Sequence, residues 1–301
     1  MLAQSSIIMV RVSIITFLSS LIKTVRFQFH RIKEHNLYGK YEFVYREELI
    51  NKRCYVLANG PSLNEELETL KNDKSFVDSP KFVLNYFVES DYFQTLKPEF
   101  YCLADPLFFS LESSDRNKKI IKIINEDTKW PMSLFYPNNG GRAVCEVITN
   151  PNVNLIPISV LRYEGFEKNK YPYYKSGKAV PSYVNVTIMI EYILLNMGCK
   201  DIRLYGVDHT FFDGMTVDDE NIPCMIDRHF YGDEFIRIFD CHGNYVTVSE
   251  WLMDKYLTFK EHENMRGYAD YLGARIVNCT KGSLIDAYTR LAQIEKSLIN
   301  I

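Results

Sequence analysis

The seven cysteines of this 301-residue chain, at positions 54, 102, 145, 199, 224, 241 and 279, are scattered, and none stands in a CxxC pair. Their number and spacing offer neither a zinc knuckle nor a disulfide framework, so a reducing cytoplasm is the simpler setting. An excess of one charge is missing too. The formal net charge is −3, which gives no global basic field and excludes nucleic acid as the expected partner. Nor is there a long uninterrupted apolar run. Ser6 to Ile22 is strongly apolar but short and carries Arg11, whereas a spanning helix needs about 20 apolar residues. No small-residue cleavage site accompanies it, which argues against a cleaved signal.

What is present suits a packed core. Hydrophobic residues make up 47% and charged residues 24%, the balance of a globular protein of one large or two small domains. The 21 tyrosines and 19 phenylalanines fit a ring-lined cleft and a bulky core equally. Lys23, Arg26, His30, Arg31 and Lys33 follow the apolar run. Residues 1–45 therefore form an apolar and basic helical segment with two readings. It lies on an anionic inner-membrane surface, or it packs on the protein's own core. Residues 46–301 form the globular domain.

That domain is organised around Arg53–Leu63, RCYVLANGPSL. Tyr55 to Ala58 is long enough for one buried strand, Asn59-Gly60-Pro61-Ser62 breaks it, and Leu63 onward has helical spacing. A strand turning through glycine into a helix points free backbone N–H groups at the turn, a geometry that suits phosphate; Ser62 is placed to cap the helix. An ordinary βα turn has the same local sequence.

Further strands are expected at Lys81–Val88, Glu99–Ala104, Ser133–Tyr136, Asn154–Pro157, Asp201–Asp208 and Arg275–Asn278, with helices over 116–127, 184–197 and 249–272 and a last one opening at Gly282-Ser283. Leu161 to Val180, rich in Tyr, Lys, Gly and Pro, is a candidate lid or a surface loop. Phe212 to Asn244 is a polar stretch. Strands alternating with helices predict an α/β fold, a Rossmann-like, mainly parallel sheet with helices on both faces and a small lid-like insertion. Ligands of such sheets lie beyond the carboxyl ends of the strands. Asn59, Asn85, Asp105, Asp208 and Asn278 each stand at or just after a strand end and form the expected rim.

Three blocks carry a resemblance: Leu57–Leu63 (LANGPSL), the helix–Gly198–strand unit running into Leu204–Asp208 (LYGVD), and Arg228–Gly232 (RHFYG). Together they resemble the bacterial sialyltransferases of glycosyltransferase family 42, which extend lipooligosaccharide from CMP-sialic acid. They also resemble the wider superfamily that includes 6-hydroxymethylpterin pyrophosphokinase-like proteins. The resemblance spans residues 53 to 290 in outline, and only the His229 block points to the glycosyltransferase branch. It implies a nucleotide-sugar-binding domain and an inverting transfer without metal or further cofactor. The sugar, a nonulosonic acid on CMP, passes to a glycan hydroxyl in lipopolysaccharide or capsule synthesis, at the cytoplasmic face of the inner membrane. The family's tetramers leave a homo-oligomer open. Asn59, Gly60 and Ser62 would meet the donor at the glycine turn, Asn85 after the second strand, and Asp208 at ribose or base. Asp105 stands where the family carries asparagine, Asn185 near its Thr-Ser pair, and His229 where its general base stands.

The chemistry of that base is independent of the resemblance, because glycosyl transfer needs the acceptor hydroxyl deprotonated and histidine titrates near neutrality. The family's tyrosine pair for the leaving phosphate is not here; the corresponding residues are His209–Gly214 (HTFFDG), and Tyr231 or Lys281 are the stand-ins to test. His209 and His242 have no comparable support. Asp218-Asp219-Glu220 reads as an acidic metal motif or, more simply, as a solvated loop. The rival functions are an ATP-dependent pyrophosphokinase using Mg²⁺ at Asp105 and Asp208, and a membrane-docked scaffold without nucleotide binding.

Overall fold

Along Arg53–Leu57, Cys54 and Val56 enter one hydrophobic layer, while Tyr55 and Leu57 enter the other. A strand buried on both faces belongs in the middle of a covered parallel sheet, and the computed structural model places it there. The structure describes residues 2–38, 49–110, 114–240 and 243–299; Cys241, His242 and the Arg46–Glu48 approach to the first strand lie outside them. The strands are β1 (Arg53–Leu57), β2 (Lys81–Leu84), β3 (Phe100–Cys102), β4 (Met132–Pro137), β5 (Val153–Ile158), β6 (Asp201–Tyr205), β7 (Thr216–Val217), β8 (Pro223–His229), β9 (Gly232–Arg237), β10 (Arg275–Asn278) and β11 (Thr289–Arg290). The helices are α1 (Leu2–Tyr38), α2 (Leu63–Leu70), α3 (Lys74–Val77), α4 (Tyr92–Leu96), α5 (Asp115–Asp127), α6 (Gly141–Val147), α7 (Glu167–Lys175), α8 (Val186–Asn196), α9 (Val248–Tyr271) and α10 (Leu291–Ile299).

Eight strands form one parallel sheet in the order β11-β10-β6-β1-β2-β3-β4-β5, and β7, β8 and β9 form a separate antiparallel sheet. Residues of α2 to α6 fill the layer on one face; α1, α7, α8 and α9 contribute to the other. The mainly parallel α/β sheet covered on both faces is the Rossmann-like arrangement expected from the sequence.

Three local expectations differ. The second strand stops at Leu84, because Asn85 turns to φ +47° and opens a 3₁₀ turn. Residues 279–288 are irregular and not helical: the Asn278 side chain bonds Ser283 Oγ and Ile285 O, holding the turn open, and α10 begins only at Leu291. The candidate lid at 161–180 is packed into the core, with Tyr171 and Tyr174 of α7 against Tyr268 of α9 at 5.5 and 5.4 Å between ring centroids. Four tyrosines in that segment carry too much ring surface to stay in water.

The α1 helix is docked through its C-terminal half. Phe27 is 1% exposed, edge-on to Tyr163 and Tyr173 at 5.2 Å each, and Gln28 donates to Tyr173 Oη. Farther toward the N-terminus Ile14, Ile15, Phe17, Leu18 and Ile22 are exposed. No described helix is long and apolar enough to cross a membrane.

At the sheet's other end, the register sets Arg53, Asp201 and Arg275 side by side on β1, β6 and β10. Arg53, Arg203 and Arg275 all reach Asp201, at 3.0, 3.1 and 3.0 Å. Burial opposes ionisation of this carboxyl, but the hydrogen bonds from Arg275, Arg203 and Arg53 outweigh it and hold the carboxyl down at about 2. A depressed carboxyl stabilises the fold above its unfolded value and loses that contribution as pH falls through the folded one. Asp201→Asn is expected to lower unfolding free energy at neutral pH by about 1–2 kcal/mol, discounted for water on the cluster's open side. Urea titrations should show the gap to wild type closing between about pH 4 and pH 2; a gap unchanged at the acid end would remove this cluster as its source.

Candidate functional site

The chain lays down β1 to β5 in one direction across the sheet, then returns to place β6 on the other side of β1. This reversal opens a crevice at the carboxyl ends of β1 and β6, the usual ligand position in open α/β sheets. A cavity of about 310 Å³ lies there. Its wall includes Asn59 and Gly60 after β1, Asn85 after β2, Asn185 before α8, Asp208 and His209 after β6, and His229 at the end of β8.

The corner after β1 fits because residue 60 has no side chain. Gly60 N–H donates to Gly206 O at 2.8 Å, and a Cβ at position 60 would lie 1.8 Å from Asp208 Oδ2 and 2.5 Å from Gly206 O. Ser62 does not cap α2 through its side chain; its hydroxyl donates to Asp208 Oδ2 at 3.0 Å. Burial raises the Asp208 carboxyl above the usual carboxylate range, partly offset by Ser62.

Two acceptors in this wall have nothing to accept. Asn59 Nδ2 donates to Leu84 O at 3.3 Å, while Asn59 Oδ1 and Asn85 Oδ1 are buried with no hydrogen-bond partner among the described residues. Asn85 and His209 also hold left-handed backbone, φ +47° and +53°. Buried orphan acceptors are uncommon, as is left-handed backbone outside glycine. Two of each meet at this crevice, which gives its wall free acceptors for hydroxyl or amino hydrogens.

Of the expected rim, Asn59, Asn85 and Asp208 come together. Asp105 does not line the cavity; it is exposed, and its carboxylate caps a 3₁₀ turn by accepting from Leu107 N–H at 2.8 Å. Asn278 is buried below the crevice and engaged by Ser283, Ile285 and Thr280. Asn185 does reach the cavity, but its side-chain oxygen caps α8 by accepting from Thr187 N–H. Tyr231 stacks on His229 at 4.8 Å with its buried hydroxyl toward Arg116, whereas Lys281 is exposed beside Glu65. Arg116 lies over the rings of Tyr86 and Tyr231, at 3.8 and 4.7 Å.

His229 Nε2 meets Asp227 Oδ2 at 3.0 Å, and Nδ1 faces Asn59 O at 3.3 Å. Asp227, overlooked in the sequence, was legible there: two residues before His229 on a strand, it shares the same face. His209 is the other addition, one residue beyond the carboxylate that ends the GVD block. Within the acidic trio, Asp218 and Glu220 are tied to Arg237 while Asp219 is exposed. Asp218 accepts from the N–H groups of Glu220 and Ile222 and pairs with Arg237 at 2.7 Å, which shapes the turn between β7 and β8. Among the described residues no cluster of three or more His, Cys, Asp or Glu is placed to hold a metal ion, and the six described cysteines are free.

No protein-family model and no curated protein matches the chain. Among solved structures, the MAf glycosyltransferase of Magnetospirillum magneticum AMB-1 is similar at 13% identity and a TM-score of 0.49, over 85% of this chain. The chain spans 36% of the length of that protein.

Proposed function

We propose that this protein is a metal-independent, inverting glycosyltransferase. It takes a nonulosonic acid such as sialic acid from a CMP-linked donor and passes it to a hydroxyl of a surface glycan. The observation that carries the reading is the convergence of Asn59, Asn85, Asp208 and a histidine on one crevice at the sheet's reversal point. Asn59 Oδ1 and Asn85 Oδ1 accept from hydroxyl or amino groups of the nucleotide, Asp208 from ribose, and the backbone at Gly60 lies against the phosphate. Ser62 positions Asp208, and Asn185 has its amide Nδ2 to offer. The acceptor's proton goes to a histidine of the wall; His229, held by Asp227, is the ring that the family resemblance puts in that role. Docking of α1 on the inner membrane's cytoplasmic face and assembly into a homo-oligomer belong to the same proposal.

The test is stabilisation by nucleotide. CMP is expected to raise the melting temperature without Mg²⁺, and UDP less. Stabilisation by ATP only with Mg²⁺ would favour a pyrophosphokinase, and no response to any nucleotide a scaffold. A panel of sugar nucleotides, followed by mass spectrometry for slow hydrolysis, then names the donor. Asn59→Ala removes one of the two orphan acceptors and is expected to weaken CMP about tenfold by calorimetry, one hydrogen bond's worth.

A further inference from the structure

His209 belongs to a second set of titratable groups that the reading above does not use. Its Nε2 lies 2.9 Å from His262 Nε2. On its other side His262 Nδ1 lies 3.0 Å from Tyr288 Oη and 3.3 Å from Glu191 Oε1. Tyr288 O–H donates to Glu191 Oε2 at 2.7 Å. Glu191 and His262 are each 0% exposed and His209 8%, so a line of hydrogen bonds runs from the cavity wall to a carboxyl on α8 that water does not reach.

An ionised Glu191 that accepts from Tyr288 would set the tautomers along this line. With Glu191 ionised and accepting from Tyr288, the Tyr288 oxygen accepts from His262 Nδ1–H. Neutral His262 then presents a lone pair at Nε2 and accepts from His209 Nε2–H. That leaves His209 Nδ1 bare, and it has no hydrogen-bond partner among the described residues. His229 is placed differently, because both of its nitrogens face oxygen acceptors.

We propose that His209 Nδ1 is a general base of this cavity, with His262 and Glu191 as the positioning residues of a proton relay behind it. The proposal rests on the glycosyl-transfer reading for its proton donor, the acceptor hydroxyl. As the hydroxyl oxygen bonds to the sugar carbon and the carbon–oxygen bond to the leaving phosphate breaks, the hydroxyl proton passes to His209 Nδ1. The Nε2 proton of His209 moves to His262 Nε2. His209 ends neutral, and His262 ends as an imidazolium beside the Glu191 carboxylate. The groups facing this line are Lys255, Glu261, His262 and Arg266 on α9, Glu191 on α8, Tyr288 before β11, and Asp208 beside His209 in the chain. Burial first, then His262 and Lys255, holds the His209 imidazole neutral at rest.

Histidine-selective ¹⁵N NMR on the intact protein, with and without CMP, reads the tautomers without any need for turnover. The expected result is a bare Nδ1 and a protonated Nε2 at His209. A wild-type His209 protonated at Nδ1 overturns the relay. Kinetically, on the donor found by the hydrolysis panel, His209→Gln is expected to lower kcat about 10²-fold or more. Glu191→Gln is expected to lower kcat less and to move the acidic limb of the pH profile down by about one unit or more, since an opposite charge nearby strengthens a base by that amount. Full activity in His209→Gln with activity lost in His229→Ala overturns the proposal and leaves His229 as sole base. Failure of the wild type to turn over any sugar nucleotide refutes glycosyl transfer, and the tautomers still decide the relay.

Discussion

Gly60→Ala is expected to abolish nucleotide binding, weakening CMP by more than about 100-fold in calorimetry, and to lower the unfolding free energy by about 2–4 kcal/mol in urea titrations. The size follows from what the new methyl meets. One of the atoms within 3 Å is a backbone carbonyl, Gly206 O, and another belongs to Asp208, which Ser62 already holds. Neither can rotate away as a flexible side-chain tip would. The corners after β1 and β6 must separate, the Gly60–Gly206 hydrogen bond breaks, and Asp208 leaves its place. Overpacking of this kind costs about 1–3 kcal/mol, and the lost hydrogen bond adds about 1 kcal/mol. An alanine variant that bound CMP like the wild type would detach the corner from the ligand site altogether.

Phe27→Ala is expected to release α1 from the sheet. Truncation of a buried phenylalanine costs about 3–5 kcal/mol, and among the described side chains of α1 it is Phe27 that enters the core, between Tyr163 and Tyr173. Around it, Gln28 bonds Tyr173, and Glu34 accepts from Asn138 and Ser159. With the ring gone, polar contacts that water can replace are a poor substitute. The outcome to look for is rapid proteolysis near residues 20–38, while the CMP-induced rise in melting temperature persists. Loss of both together would mean that α1 is integral to the sheet's stability and is not a separately docked segment.

The sequence made the sheet legible because its strands are short, apolar and bounded by strong breakers; a doubly buried strand such as β1 has little else it can be. It also made the crevice legible through Asn59-Gly60 and Asp208, since glycine and carboxylate at successive strand ends follow a topological rule. What it concealed depends on contacts made across the chain. Asp105 and Asn278 carry the same strand-end signature as Asn59, yet their side chains close local turns, and nothing in one sequence separates an asparagine that caps from one that waits for a ligand. The tyrosines of 161–180 looked solvent-bound because lysine, glycine and proline surround them, but their partners on α1 and α9 lie far away in the chain. The pairing of His209 with His262 is hidden for the same reason: α9 brings the two rings together from 53 residues apart.

Arg53 and Asp201 are 148 residues apart in the chain yet side by side at the start of β1 and β6. The β6 side of the crevice thus belongs to a strand that pairs with β1 only by closing the whole β2–β5 stretch into a loop. Closing so long a loop is entropically slow. During refolding, nucleotide capture becomes a late event: a stopped-flow signal from bound CMP would trail the burst of helix formation and time the moment at which the two halves of the sheet meet.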